Sequence, residues 1–203
     1  MSLIQNPSVE GFEANYVSHE EIQNIGAIPV LADRSRLARM SPERRKQHLS
    51  GITALGILVN AADGDIAEIR PDEGGCLFRD GALILHWSIS HTAHGAVAVK
   101  SNGPSRIGVD MEAVSRTVTQ GALDQIVGAD LQVKSPYSTK LETWMAIEAI
   151  SKALGHGLSI SREVRYSDGW ELRGLSWRVD FEQRRVGGQL HHVCVARQIM
   201  EGP

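Results

Sequence analysis

The chain has 203 residues, of which 42% are hydrophobic and 22% charged, with 21 Lys and Arg against 24 Asp and Glu and a formal net charge of -3. These are ordinary values for a soluble globular protein and exclude wholesale disorder, collagen-like repeats and coiled coil. The near-neutral balance argues against a nucleic-acid-binding protein. At this length the chain lies between one domain and two. It is long enough to bury a core without disulfide or metal staples.

Aromatic residues are only 5%, so the core is expected to be aliphatic and alanine-rich. The 20 glycines point to many turns and short elements. Cys76 and Cys194 lie too far apart in sequence to resemble a disulfide framework. The first residues carry no basic leader and no apolar run, so no signal peptide is expected. The apolar stretch Ile52 to Val59 is far too short to span a bilayer. A cytoplasmic, soluble protein is the expectation.

The first 30 or so residues show weak periodicity. Arg34, Arg36, Arg39, Arg44, Arg45 and Lys46 then form a basic segment. Within it Ser41-Pro42-Glu43 reads as a helix start: a serine cap, proline in the first turn and an acid at the positive end of the dipole. Leu49, Ile52, Leu55 and Val59 recur every three or four positions and carry the helix on to a stop at Asp63-Gly64-Asp65. Ile66 to Arg70 reads as a short strand halted by Pro71, and Asp72-Glu73-Gly74-Gly75 as a turn. Leu83 to Ile89, Gly95 to Lys100 and Ile107 to Met111 read as buried strands, with Ser101-Asn102-Gly103-Pro104 as a strong turn. Leu123, Ile126 and Val127 suggest a short helix, followed by a loop over 133–138. Thr139 to Leu154 is the clearest helix, stopped by Gly155. Val164-Arg165-Tyr166, Leu175 to Phe181 and His191 to Ala196 alternate as antiparallel strands do, with turns at Asp168-Gly169 and Gly187-Gly188. The class is α+β in mixed order.

Asp110 and Glu112 are two apart on a strand and so share a face. Two carboxylates so placed repel unless water or a hard cation such as magnesium separates them; a solvated strand end is the plainer reading. Glu148 and Lys152 are four apart on the clearest helix, which by itself means a surface ion pair. Trp144, one turn earlier, reads as a core aromatic. Ser90-His91 ends a strand, with Thr92 and His94 close by; the His91/His94 spacing is a weak zinc signal without a third ligand. His191-His192 lies in a core strand and carries no assigned role.

Taken in order, Trp87-Ser88-Ile89-Ser90-His91, then Gly108-Val109-Asp110-Met111-Glu112, then Trp144-Met145-Ala146-Ile147-Glu148-Ala149-Ile150-Ser151-Lys152-Ala153-Leu154-Gly155 resemble the three signatures of the 4'-phosphopantetheinyl transferases. The resemblance is closest to the longer, monomeric type that activates peptide and polyketide synthetases. Ser41-Pro42-Glu43-Arg44-Arg45 resembles that type's N-terminal motif.

The resemblance implies two similar α+β halves, 1–102 and 103–203, related by pseudo-twofold symmetry, with the active site at their junction. It implies transfer of phosphopantetheine from coenzyme A to a serine of an apo acyl or peptidyl carrier protein, with release of 3',5'-ADP. Asp110, Glu112 and Glu148 would hold magnesium on the coenzyme A pyrophosphate. Glu148 would act as base on the carrier serine, directly or through water, and Lys152 would support the leaving phosphate. Ser90 and His91 would contact coenzyme A phosphates, and Arg44 the 3'-phosphate. No membrane partner is implied.

Ser88 stands where asparagine is usual, Gln47 where a second basic residue is expected, and no glycine-lysine-proline element precedes the first signature. These departures motivate an alternative, a transferase-like module that binds coenzyme A or a carrier without transfer. An unrelated magnesium phosphohydrolase would explain the carboxylates but not the tryptophan helix.

Overall fold

The structure is a computed structural model and describes residues 11–25, 37–59, 70–71, 77–79, 82–128 and 135–200. Two antiparallel sheets and two long helices make up most of it. The first sheet has the order β1-β6-β5, from β1 (Phe12–Ser18), β5 (Trp87–His91) and β6 (Gly95–Ser101). The second has the order β7-β11-β10-β9-β8, from β7 (Ile107–Ala113), β8 (Arg165–Tyr166), β9 (Trp170–Leu172), β10 (Leu175–Val186) and β11 (Gln189–Gln198). A small third sheet joins β2 (Arg70–Pro71), β3 (Leu77–Arg79) and β4 (Ala82–Ile84). The helices are α1 (His19–Ile25), α2 (Pro42–Val59), α3 (Gln120–Ile126) and α4 (Lys140–Ala153), with a 3-10 turn at Gly157–Glu163.

The helix starts follow from their caps. The Ser41 hydroxyl accepts the Arg44 N–H at 3.3 Å, with Pro42 in the first turn, where a missing N–H costs nothing. At α4 a full capping box forms: Thr139 Oγ1 accepts the Glu142 N–H at 3.1 Å and Glu142 Oε2 accepts the Thr139 N–H at 3.3 Å. Gly155, at φ +74°, closes α4 in the left-handed region where a side chain is strained.

Packing gives a layered order. Ile52, Ala54, Leu55 and Val59 of α2 bury against Val17, Trp87 and Ala98 on one face of the first sheet. The opposite face supplies Phe12, Val97 and Val99, which pack on Ile107, Val109, Met111, Val193 and Val195 of the second sheet. The far face of the second sheet, with Trp177, Cys194 and Ala196, takes Met145, Ala146, Ala149, Ile150 and Ala153 of α4. The core is aliphatic and alanine-rich, as the composition suggests.

Most expected elements are present. The Leu83–Ile89 strand is two strands, β4 and β5, interrupted at residues 85–86. The last two strands are longer than expected, and β1, α1, β9 and the 3-10 turn are elements that the sequence reading does not include. The expected helix stop at 63–65, most of the 66–70 strand, the 72–75 turn and Cys76 lie outside the described residues. No helix among the described residues is long and apolar enough to cross a membrane.

Candidate functional site

The site lies where β5, the edge of the first sheet, runs beside β7, the edge of the second. Alternate residues of β5 face one way, and here they are hydroxyls. Ser88 Oγ accepts the Val109 N–H at 3.1 Å and Ser90 Oγ accepts the Met111 N–H at 3.2 Å, so two side chains satisfy β7 donors that no neighbouring strand pairs on that edge. Thr92 continues the row: its Oγ1 lies 3.1 Å from His191 Nε2 and accepts the His94 N–H at 3.2 Å. Ser88 is thus a stitch between sheets.

From the other side α4 descends on β7 at Gly108. A Cβ there would lie 1.9 Å from the Ala149 carbonyl oxygen and 2.7 Å from the Ala153 nitrogen. Glycine is what lets the helix come this close, and the approach sets Glu148 and Lys152 over Asp110. Lys152 Nζ donates to Asp110 Oδ1 at 3.0 Å and to Ser90 Oγ at 3.2 Å, and forms an ion pair with Glu148 Oε1 at 3.1 Å. Trp144 Nε1 donates to Glu148 Oε2 at 2.9 Å. Arg116 pairs with Glu112, and its guanidinium carbon lies 5.3 Å from the centre of the Trp144 ring.

The electrostatics follow from burial and these contacts. Asp110 is 2% exposed; burial pushes its carboxyl up, against the pull of Lys152 and the Ser90 hydroxyl. Burial also opposes the charge on Glu148, but Lys152, the Trp144 N–H and Arg116 together hold its carboxyl below the usual range. Burial alone would lower Lys152; Asp110 and Glu148 reverse this and hold it as an ammonium. His91 is pushed down by the protein crowding its ring, then by the charges of Lys152, Arg44 and His19, although its outer edge is open to solvent. His19 is lowered first by burial and then by Lys46. Arg44 and Lys46, in the first turns of α2, thus act on His91 and His19 through their charge.

The structure brings Ser90, Asp110, Glu148 and Lys152 into one cluster, and the charges of Lys152 and Arg44 act on His91. Ser90 is fully engaged: its single proton goes to Asp110 Oδ1 at 3.0 Å, and its lone pairs take Met111 N–H and Lys152. It thereby positions Asp110 and Lys152. Glu112, on the same strand face as Asp110, is held by Arg116 rather than by the cluster. Arg116 and the polar role of Trp144 escape a sequence reading, although Trp144, Glu148 and Lys152 recur at i, i+4 and i+8 on one helix face.

Asp110 Oδ2 is buried and accepts no hydrogen bond among the described residues. Such an oxygen is a strong, unmet demand for a positive partner. Among the described residues no group of three or more His, Cys, Asp or Glu side chains is arranged to share one ion. Magnesium needs only one or two carboxylates when substrate phosphates complete its shell, and Asp110 with Glu148 fits that demand. Cys194, paired in register with Asp110, is buried, and burial followed by the Asp110 charge pushes its thiol up, so it is an inert filler.

His191, fully buried, has its tautomer fixed by its neighbours: Nδ1 faces the Gln189 carbonyl at 3.0 Å and must donate, which leaves Nε2 to accept from Thr92. Burial pushes this ring below its usual 6.5. In the unfolded chain it protonates near 6.5, and in the fold it does so only at lower pH. Its contribution is therefore complete above 6.5 and is lost as pH falls toward the folded value, at up to about 1.4 kcal/mol per pH unit. His19 and His91 shift in the same direction. Urea midpoints are expected to fall between pH 7.5 and 5.5, and to fall less in His191→Gln; an equal drop in both proteins refutes the assignment.

No protein-family model and no curated protein matches the chain.

Proposed function

We propose that the chain is a 4'-phosphopantetheinyl transferase, moving the phosphopantetheine arm of coenzyme A to a serine hydroxyl of an apo acyl or peptidyl carrier protein. The observation that carries this reading is the meeting of Ser90, Asp110, Glu148 and Lys152, drawn from all three motif segments, in a single hydrogen-bonded cluster.

In this reading the carrier serine oxygen attacks the β-phosphorus of coenzyme A. The bond between that phosphorus and the bridging oxygen breaks, and 3',5'-ADP leaves. Glu148, kept ionised by Lys152 and Trp144, accepts the serine proton directly or through a water. Lys152, kept cationic by two carboxylates, sets a positive charge against the leaving oxygen. Asp110, with Glu148, would hold magnesium, whose charge offsets that building on the transferring phosphoryl group. Arg44 and Lys46 supply the charge for the 3'-phosphate, and His91, depressed in pKa, supplies a neutral ring donor.

The test is to incubate the protein with coenzyme A, magnesium and a panel of apo-carrier proteins and to weigh each carrier. The expected result is one phosphopantetheine added to one serine, with Glu148→Gln reducing the rate by about 100-fold or more. Carriers left unmodified while a known transferase modifies them overturn the reading.

A further inference from the structure

Two cations share the site with three carboxylates, and they are held very differently. Lys152 is mostly buried and tied to Asp110, Glu148 and Ser90, so removing it from the cluster would strand two charges. Arg116 sits on the turn directly after β7, its N–H donating to the Ala113 carbonyl at 2.8 Å, and its side chain is 37% exposed. It grips Glu112 and lies over the Trp144 ring. If it swings away it loses one ion pair and one ring face and regains water. It is the one of these two cations that can leave cheaply.

What its departure would free is also specific. Glu112 is two residues beyond Asp110 on the same face of β7, and Asp110 Oδ2 is buried and unpartnered among the described residues. Resting on the reading of Asp110 and Glu148 as a cation site, we infer that Arg116 is a built-in counter-cation that holds Glu112 out of that site and releases it when a divalent cation binds. Glu112 cannot serve a guanidinium and a hard cation fully at once, so the two compete. Trp144, which touches Arg116 with its ring and Glu148 through Nε1, links the two halves of this exchange.

The experiment is a manganese(II) titration of the full chain without nucleotide, followed by calorimetry and by tryptophan fluorescence, with circular dichroism to confirm folding. Arg116→Gln is expected to bind manganese about threefold to tenfold more tightly than the parent. Arg116→Lys, which keeps the charge without the planar fork, is expected between them. Asp110→Asn is expected to lose the binding. Manganese should change the fluorescence of the parent, and this change should be smaller in Arg116→Gln, where no guanidinium leaves the ring. If the parent binds manganese, Asp110→Asn does not, and Arg116→Gln binds equally or less well, the counter-cation role is wrong while the cation site stands. If Arg116→Gln does not fold, an Arg116→Lys affinity at or below the parent's overturns the counter-cation role in the same way. If the parent binds no manganese, the cation site itself fails and the inference with it.

Discussion

Lys152→Met is expected to destabilise the protein by about 3–5 kcal/mol, the cost of stranding a buried charge. Asp110 is 2% exposed and would keep its Ser90 hydrogen bond but lose its counter-ion; Glu148 would lose its ion pair and keep only the Trp144 N–H. In a chain of this size the loss corresponds to roughly 10 °C in melting temperature. Neutralising both partners tests the cause. Lys152→Met combined with Asp110→Asn is expected to recover more than half of the loss, because the more deeply buried of the two stranded carboxylates is gone while Glu148 keeps the Trp144 N–H. A Lys152→Met cost below about 1 kcal/mol, the level of an exposed i,i+4 pair, would contradict the cluster.

Gly108→Ala is the second large effect, and it separates stability from placement. The added methyl would lie 1.9 Å from the Ala149 carbonyl oxygen and 3.0 Å from the Ala149 carbonyl carbon, backbone atoms that cannot rotate away. Helix α4 must rise, carrying Glu148 and Lys152 off Asp110. Overpacking of this kind costs about 1–3 kcal/mol and occasionally more. A shift of about 1 Å at the reacting groups is enough for a 100-fold loss of rate. Gly103→Ala, where nothing lies within 4 Å of an added Cβ, is the control and is expected to be neutral on both counts. Equal behaviour of the two variants would mean that the helix-to-strand approach does not set the site.

How much of this was legible from residues alone depended on how local the signal was. Helices α2 and α4 were readable because caps and stops are local chemistry: Ser41-Pro42, Thr139 with Glu142, and Gly155. Strands β6 and β7 were readable because both faces are buried over most of their length, so 95–99 and 107–111 are apolar apart from Asp110. Strand β1 was not. Its alternation of Phe12, Ala14 and Tyr16 with Glu13 and Asn15 is short, and its partner β6 lies more than 75 residues away at Phe12↔Ser101. Pairing, not propensity, makes it a strand.

The site divided in the same way. Asp110, Glu112, Glu148 and Lys152 stand out as carboxylates and a cation at strand and helix spacings. Nothing local tells that Ser90 is saturated by Asp110, Met111 and Lys152, since its partners lie 20, 21 and 62 residues away. The grip of Arg116 on Glu112 is a local i,i+4 contact, but outside a helix that spacing carries no rule. The serines of β5 look like ordinary polar interruptions until β7 is laid beside them.

The central claim is that this cluster transfers phosphopantetheine rather than merely binding coenzyme A or hydrolysing it. The most direct measurement is 3',5'-ADP released from coenzyme A, counted against carrier serines modified in the same sample. The account predicts one 3',5'-ADP per modified serine, with release only when coenzyme A, magnesium and apo-carrier are all present, and with release abolished when the acceptor serine is replaced by alanine. Release of 3',5'-ADP without a carrier, or coenzyme A binding with no release under any condition, would contradict it.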